Sequence, residues 1–281
     1  ITKFDSALQA MDDHMSIANS ALATRIGYVR GVQKLILYYN QLPEECSVHQ
    51  IKSFLSYLKE NENYSSSTLN LRVCALKYYF RNIVNRLDLV VSIPNPRVSK
   101  FDTEVLSYDE LKLLINSCRD IRQKLVITLL YDTGMRVSEV VKIRLCDFDK
   151  FHQSITIYNS KGKKTRVVYY GQKLRDVLKQ YVAVLGYYPK NTLIESYTQT
   201  GEALSKRGVQ HIVREVVKRT KMSKKVTPHT LRHSFAVHYL NRGGSIFRLQ
   251  KLLGHEYITT TLHYLKYAII PDSSDLSPLD Y

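Results

Sequence analysis

The chain has 281 residues, 44% of them apolar, which is enough for two domains with buried cores. Forty-one Lys and Arg against 25 Asp and Glu give a formal charge of +16. The excess is dispersed along the sequence, so a polyanionic partner is expected, nucleic acid being the commonest. No run of 18 apolar residues and no signal-peptide core occur, so no membrane partner is expected and a cytoplasmic location is.

Residues 1–95 read as all-helical. Ile1 to Ile17 forms an amphipathic opening. Ser20 to Tyr39 follows, with Leu22, Ile26, Val29, Val32, Leu35 and Ile36 at helical spacing. Pro43 breaks the pattern, and Ser47 to Lys59 then places Ile51, Phe54, Leu55 and Leu58 on one face. Ser65 to Ser67 cap a fourth helix clustering Leu69, Leu71, Val73, Leu76, Tyr79 and Phe80. Arg72, Lys77 and Arg81 lie off that stripe and are candidates for a DNA-facing surface, with solvated surface charge as the alternative. Together these helices make a small bundle.

Pro94 to Thr103, rich in turn formers and without helical periodicity, is the linker, and the domain boundary is placed at residues 96–104. Ser107-Tyr108-Asp109-Glu110 has the form of a capping box. Helix is expected over Arg122 to Tyr131, interrupted by Gly134 and resumed through Met135-Arg136-Val137-Ser138-Glu139. At Gln153 to Tyr158 the period switches to two, and a hairpin turns through Ser160-Lys161-Gly162-Lys163 to return along Thr165 to Tyr169. Helices resume at Gln172 to Leu185 and Ser205 to Lys218. Cys46, Cys74, Cys118 and Cys146 are too far apart for a metal knuckle and read as buried reduced thiols.

From Thr227 to Tyr267 three short helices are expected. Thr227 serves as N-cap, Pro228 suits the first helical position, and Gly243-Gly244 stop the first helix. The second spans Ser245 to Gly254. Thr259 to Thr261 cap the third, which would present Tyr264 in its early turns. His229 and Arg232, three apart, share a face beside a positive helix N-terminus, a setting suited to phosphate.

Taken in order, Thr133-Gly134-Met135-Arg136-Val137-Ser138-Glu139, the hairpin Lys161, His229-x-x-Arg232, and Leu253-Gly254-His255 with Tyr264 nine residues on resemble the tyrosine recombinase (phage integrase and Xer-like) superfamily. The resemblance covers Ser107 to Tyr267. It implies a mainly α fold with a small β-hairpin or sheet: a helical core-binding (DNA-binding) domain at 1–95, a catalytic domain at 105–268, and a tail at 269–281 that docks on a neighbouring subunit. It also implies a site-specific recombinase that closes around duplex DNA as a C-shaped clamp and cleaves and rejoins strands through a 3′-phosphotyrosyl intermediate. The partners implied are double-stranded recombination sites, a homo-tetramer in the synaptic complex and accessory DNA-bending proteins.

The catalytic residues on this resemblance are Arg136, Lys161, His229, Arg232, His255 and Tyr264. Two always-protonated arginines would clamp the nonbridging oxygens of the phosphodiester as charge builds. His229 would take the Tyr264 proton, Lys161 would protonate the departing 5′-oxygen, and His255 would bond a phosphate oxygen or orient the nucleophile. Glu139 steadies the cations. Lys163, Lys164 and Arg166 are candidate phosphate contacts or ordinary hairpin charges. A phosphotyrosine conserves the bond energy, so neither metal nor cofactor is expected, and the sequence contains no P-loop. His233, His238 and His263 read as packing or surface residues, and Tyr267 is the rival nucleophile. A type IB topoisomerase or telomere resolvase shares the chemistry, and a catalytically idle DNA-binding protein would share the fold.

Overall fold

A computed structural model of the chain describes residues 3–97, 104–158 and 165–269. Two compact units emerge, Ile1–Phe101 and Asp102–Tyr281. Lys161, Lys163, Lys164 and all but the first residue of the 269–281 tail lie outside the described residues.

The first unit is built from α1 (Lys3–Ile17), α2 (Leu22–Tyr39), α3 (Val48–Glu60), α4 (Ser66–Asn82) and α5 (Leu87–Ser92). Two of them, α3 and α4, start where serines accept orphan backbone hydrogens: Ser47 from Gln50 N, and Ser65 from Thr68 N. Met11, Leu35, Phe54, Leu76 and Phe80 fill the centre. α2 and α4 approach closely because Gly31 faces Ala75; a Cβ on Gly31 would stand 2.9 Å from that of Ala75. The short α5 interrupts no strong pattern and escapes periodicity, but it inserts Leu89 and Val90 into the core.

Three apolar residues counted toward the bundle's core face outward instead: Leu22, Ile26 and Leu71. In α2 the buried face is Gly31, Val32, Leu35 and Ile36, toward its C-terminal half. Arg72, expected to face DNA, is a packing residue. Its Nη1 donates to the Gly27 carbonyl at 3.1 Å, its guanidinium lies over the Tyr64 ring, and its Nε is buried. Lys77 is half-buried and its ammonium donates to Asn95 Oδ1, while Arg81 is exposed.

The second unit comprises α6 (Tyr108–Asn116), α7 (Ile121–Thr133), α8 (Val137–Val140), strands β1 (Phe148–Asp149), β2 (Ser154–Ile157) and β3 (Arg166–Tyr169), then α9 (Gln172–Leu185), α10 (Lys206–Thr220), α11 (Pro228–Asn241), α12 (Ile246–Leu253) and α13 (Ile258–Leu262), with a 3₁₀ turn over His263–Tyr267. The Ser107–Glu110 capping box forms: Glu110 N donates to Ser107 Oγ and Ser107 N to Glu110 Oε2. α7 is apolar on nearly every side, as a helix surrounded by others must be. Leu125, Val126, Ile127, Leu129 and Leu130 are all buried, and α6, α9, α10 and α11 pack around it.

The sheet is antiparallel in the order β1-β2-β3, with Ile155 opposite Val168 and both buried. The two-residue β1 carries no alternation to read, yet it pairs Phe148 with Ile155. The fold is therefore mainly α with a small sheet. Cys46 is buried and Cys74 and Cys118 partly so, but Cys146 is exposed on the 3₁₀ turn Leu145–Asp147, contrary to the expectation for it. Among the described residues no His, Cys, Asp or Glu cluster suits a metal ion, and no helix is long and apolar enough to cross a membrane.

Candidate active site

The site grows from two glycine turns. α7 ends at Gly134, whose φ of +60° is a left-handed conformation that L side chains rarely adopt, and a Cβ there would strike the Phe235 ring at 2.5 Å. α12 ends in the same way at Gly254, with φ +62°. Each turn leaves a backbone carbonyl free of the helix ladder, and each of those carbonyls accepts from an arginine. Arg232 Nη1 donates to Gly134 O at 2.6 Å, and Arg136 Nη2 donates to Gly254 O at 3.3 Å.

Arg232 projects from α11 into the protein and is only 5% exposed. Its Nη2 also donates to Leu253 O at 2.8 Å and lies 3.0 Å from His255 Nε2. Burial, and then the nearby Arg136 charge, lower its pKa to about 10, opposed by Tyr264 and Glu139. It nevertheless stays protonated at neutral pH. Arg136 was expected inside a helix, but it is the N-cap of α8 with extended backbone. The reason is local: Gly134 reverses the chain two residues earlier, and Glu139 Oε2 accepts the Arg136 backbone N–H at 2.7 Å to open the new helix.

Glu139 is the electrostatic hinge of the cluster. Its carboxylate, 8% exposed, accepts from Arg136 Nη1 at 3.2 Å and from Arg166 Nη1 and Nη2 at 2.8 and 2.7 Å. Arg166 spends its remaining Nε–H on Leu252 O, and its side chain is only 8% exposed. The expectation that Arg166 contacts phosphate is therefore corrected. Its fork is occupied by a carboxylate, and it braces β3 against α8 and α12. A charged residue in a KGxKxR hairpin gives no sequence signal of this, because its partner is 27 residues away.

His229 stands in the first turn of α11. Burial, then Arg232 and Arg136, hold its pKa below the ordinary histidine value. His255 follows Gly254 and is pushed down to about 4 by burial and by Arg232, Arg136 and Arg166. The tautomer of His255 follows from its neighbours. A guanidinium only donates, so Nε2 accepts from Arg232, and Nδ1 carries the proton toward Thr261 Oγ1 at 2.9 Å. Thr261, fully buried, was read only as a cap; it orients this ring instead.

Tyr264 was expected in the early turns of the third helix. That helix instead begins at Ile258, so Thr259 to Thr261 lie inside it, and Tyr264 falls in the following 3₁₀ turn. Its ring is stacked on that of His255, with centroids 6.1 Å apart and planes 9° from parallel, and it is 9% exposed. Arg136, His229, Arg232, His255 and Tyr264 are thus gathered at one locus, while Lys161 lies outside the described residues. His238 packs on Tyr108 and meets the Tyr131 hydroxyl, and His233 is buried against Tyr264.

A groove of about 630 Å³ opens beside Arg136, lined among others by Ser138, Lys142, Arg144, Tyr158 and Lys206. The last four were not anticipated, since isolated basic and aromatic residues in sequence carry no mark of a shared wall.

The depressed histidines have a measurable consequence. Unfolded histidine, with a pKa near ~6.5, takes up protons at acidities where folded His255 does not. Between pH 6.5 and about 4 the unfolded state binds more protons, so stability falls as the pH falls across that window. Thermal melts at pH 7, 5.5 and 4 should show a progressive loss, and His255→Gln should reduce it in part, because the buried His233 is depressed to about 4 as well.

The profile of the Phage integrase family matches residues 104–268, and that of the Phage integrase N-terminal SAM-like domain matches residues 7–87. Tyrosine recombinase XerA of Thermococcus kodakarensis is 33% identical over 227 residues, covering 80% of this chain and 79% of that protein. Tyrosine recombinase XerC of Staphylococcus aureus (strain bovine RF122) is 28% identical over 258 residues, covering 84% of each. The crystal structure of a lambda integrase dimer bound to a COC′ core site superposes with a TM-score of 0.75 at 21% identity, over 92% of this chain and 94% of that one, which establishes the shared fold.

Proposed function

Because the chain belongs to the phage integrase family and is a site-specific tyrosine recombinase of DNA, we propose that Tyr264 is its nucleophile and that Arg136, His229, Arg232 and His255 form the phosphate site around it. The observation that carries this reading is the convergence of two arginines, each anchored on a glycine carbonyl, with two neutral histidines and a tyrosine ring stacked on one of them.

The chemistry follows from charge. A phosphodiester repels nucleophiles, and its attack needs the nonbridging oxygens neutralised. Arg136, 36% exposed at its side chain, reaches outward from its Glu139 tether to grip one oxygen, while Arg232 meets the phosphate from below. Both present fixed donors that need no reorganisation as charge develops. His229, neutral and at a helix N-terminus, accepts the Tyr264 proton, and the tyrosyl oxygen then bonds to phosphorus as the 5′-oxygen leaves. Lys161 supplies the proton for that oxygen. The reverse sequence rejoins the strand, so no external energy source enters.

The groove beside Arg136 carries the flanking backbone, with Lys142, Arg144 and Lys206 as phosphate contacts; Lys163 and Lys164, and separately Lys77 and Arg81 of the 1–95 domain, are further phosphate-contact candidates. In the synaptic complex the enzyme acts as a homo-tetramer with its 269–281 tail docked on a neighbour, accessory DNA-bending proteins assisting.

The test is a nicked recombination-site duplex that traps the covalent stage. Wild-type protein should give an adduct that survives denaturing electrophoresis, and peptide mapping should find the phosphate on Tyr264. A phosphate on Tyr267, or no adduct on any recombination site, would overturn the assignment.

A further inference from the structure

His233 follows Arg232 on α11 and plays no part in the chemistry described above. Its ring is 6% exposed and is enclosed by the nucleophile's own turn: centroids lie 4.8 Å from Tyr264, 5.1 Å from Tyr267 and 6.3 Å from His263. His233 Nε2 is buried without a hydrogen-bond partner. Leaving a buried polar nitrogen unpaired costs about 1–3 kcal/mol, which a phenylalanine of similar shape would avoid. Such a group points to a partner acquired in another state of the molecule. The surrounding atoms limit what that partner is. The three side chains around the ring come from the 3₁₀ turn His263–Tyr267, and the most deeply buried of them, Tyr264, carries a hydroxyl able both to donate and to accept.

We infer that His233 is a positioning residue for the Tyr264 nucleophile: its ring is the seat of the 3₁₀ turn, and its Nε2–H donates to the Tyr264 phenol oxygen as that turn shifts to deliver the hydroxyl to phosphorus, leaving the phenol proton for His229. This rests on Tyr264 being the nucleophile. The mechanics suit the position. His233 is rigidly placed on α11 beside the arginine that clamps the phosphate, so a single helix sets both the electrophile's cradle and the nucleophile's seat. A shift of the turn relative to α11 is what attack requires, since Tyr264 is only 9% exposed as it stands. Burial, and then His263, lower the His233 pKa to about 4, so the ring is neutral at working pH and adds no repulsion toward the arginines.

The experiment compares wild type, His233→Phe and His233→Gln by single-turnover adduct formation on the nicked duplex, by DNA affinity and by thermal melting, with Tyr264→Phe alongside. Phenylalanine keeps the ring and removes the nitrogen; glutamine keeps a polar atom near the Nε2 position. The expected result is that H233F melts at or above the wild-type temperature and binds DNA within about twofold, yet forms adduct about tenfold more slowly, with H233Q recovering part of the rate. H233F cleaving at the wild-type rate would show that the residue only packs. Equal losses in H233F and H233Q would likewise overturn the hydrogen-bonding role. If Y264F still forms adduct, the nucleophile assignment itself fails, and this inference with it. If Y264F is inert and H233F is unaffected, this inference alone fails.

Discussion

Replacing Arg232 with alanine is expected to lower adduct formation by about 10³-fold while moving the melting temperature by only a few degrees. The two effects separate because they answer to different terms. For catalysis, Arg232 is on the proposed mechanism a fixed multidentate donor to the phosphate, and loss of one preorganised donor alone costs about 10²–10³ in rate. For stability, opposing contributions of similar size meet. The substitution strips partners from Gly134 O and Leu253 O, at about 1–3 kcal/mol for each buried acceptor left unmade. It also removes a cation that burial disfavours, as the lowered pKa of about 10 records. Arg232→Lys should lose about 10²-fold in rate, because one ammonium cannot reproduce a planar fork that spans two carbonyls and an imidazole and still offers donors to a phosphate on the proposed mechanism. Cleavage measured on the nicked duplex, with differential scanning calorimetry on the same samples, checks both halves. A collapsed fold in Arg232→Ala would mean that Arg232 is chiefly structural.

The second large effect is expected at Glu139, and here stability and rate fall together. Glu139→Ala leaves Arg166, 8% exposed at its side chain, without its carboxylate, and breaking one partner from a buried ion pair costs about 3–5 kcal/mol. The same change releases Arg136 from its tether, so adduct formation should fall by more than tenfold even at temperatures where the protein is folded. The double variant Glu139→Ala with Arg166→Met separates the two losses. Removing the orphaned charge should restore most of the stability, while the rate stays low because Arg136 remains untethered.

The pair also has a pH signature. Burial pushes the Glu139 carboxyl up, but the hydrogen bonds and charge of Arg166, with Arg136 adding to them, outweigh it and hold the group below the ordinary glutamate value of 4.5. A depressed acid stabilises the fold above its unfolded pKa. This contribution is therefore complete above about pH 4.5 and is lost as pH falls through the lower folded value. The histidine-linked loss occupies a higher range, from 6.5 to about 4, so the two are separable in an acid titration.

The elements of both units were largely legible because each helix carries its own local instructions. Ser47, Ser65, Ser107 and Thr227 accept the backbone hydrogens that caps must accept, and the change of period at Ile155 and Ile157 announces a strand. What escaped was short or non-local. β1 and α5 are too brief to show a period, and the outward placement of Leu22, Ile26 and Leu71 depends on which faces the neighbouring helices cover. Arg72 and Arg166 look like surface cations in sequence, and only their burial against Tyr64 and Glu139 shows otherwise.

By itself the sequence determined the helical character of the chain, the order of the candidate site residues and the resemblance that ties them to strand exchange, since residue type, spacing and capping chemistry are written locally. Only the tertiary structure decided how those residues are held. It turned Gly134 and Gly254 into carbonyl anchors for two arginines, set the His255 tautomer through Arg232 and Thr261, shared Glu139 between Arg136 and Arg166, and closed the Tyr264 turn around His233. The physical reason is that hydrogen-bond direction, desolvation and ion pairing depend on separations of a few ångströms between residues that lie tens to more than a hundred positions apart along the chain.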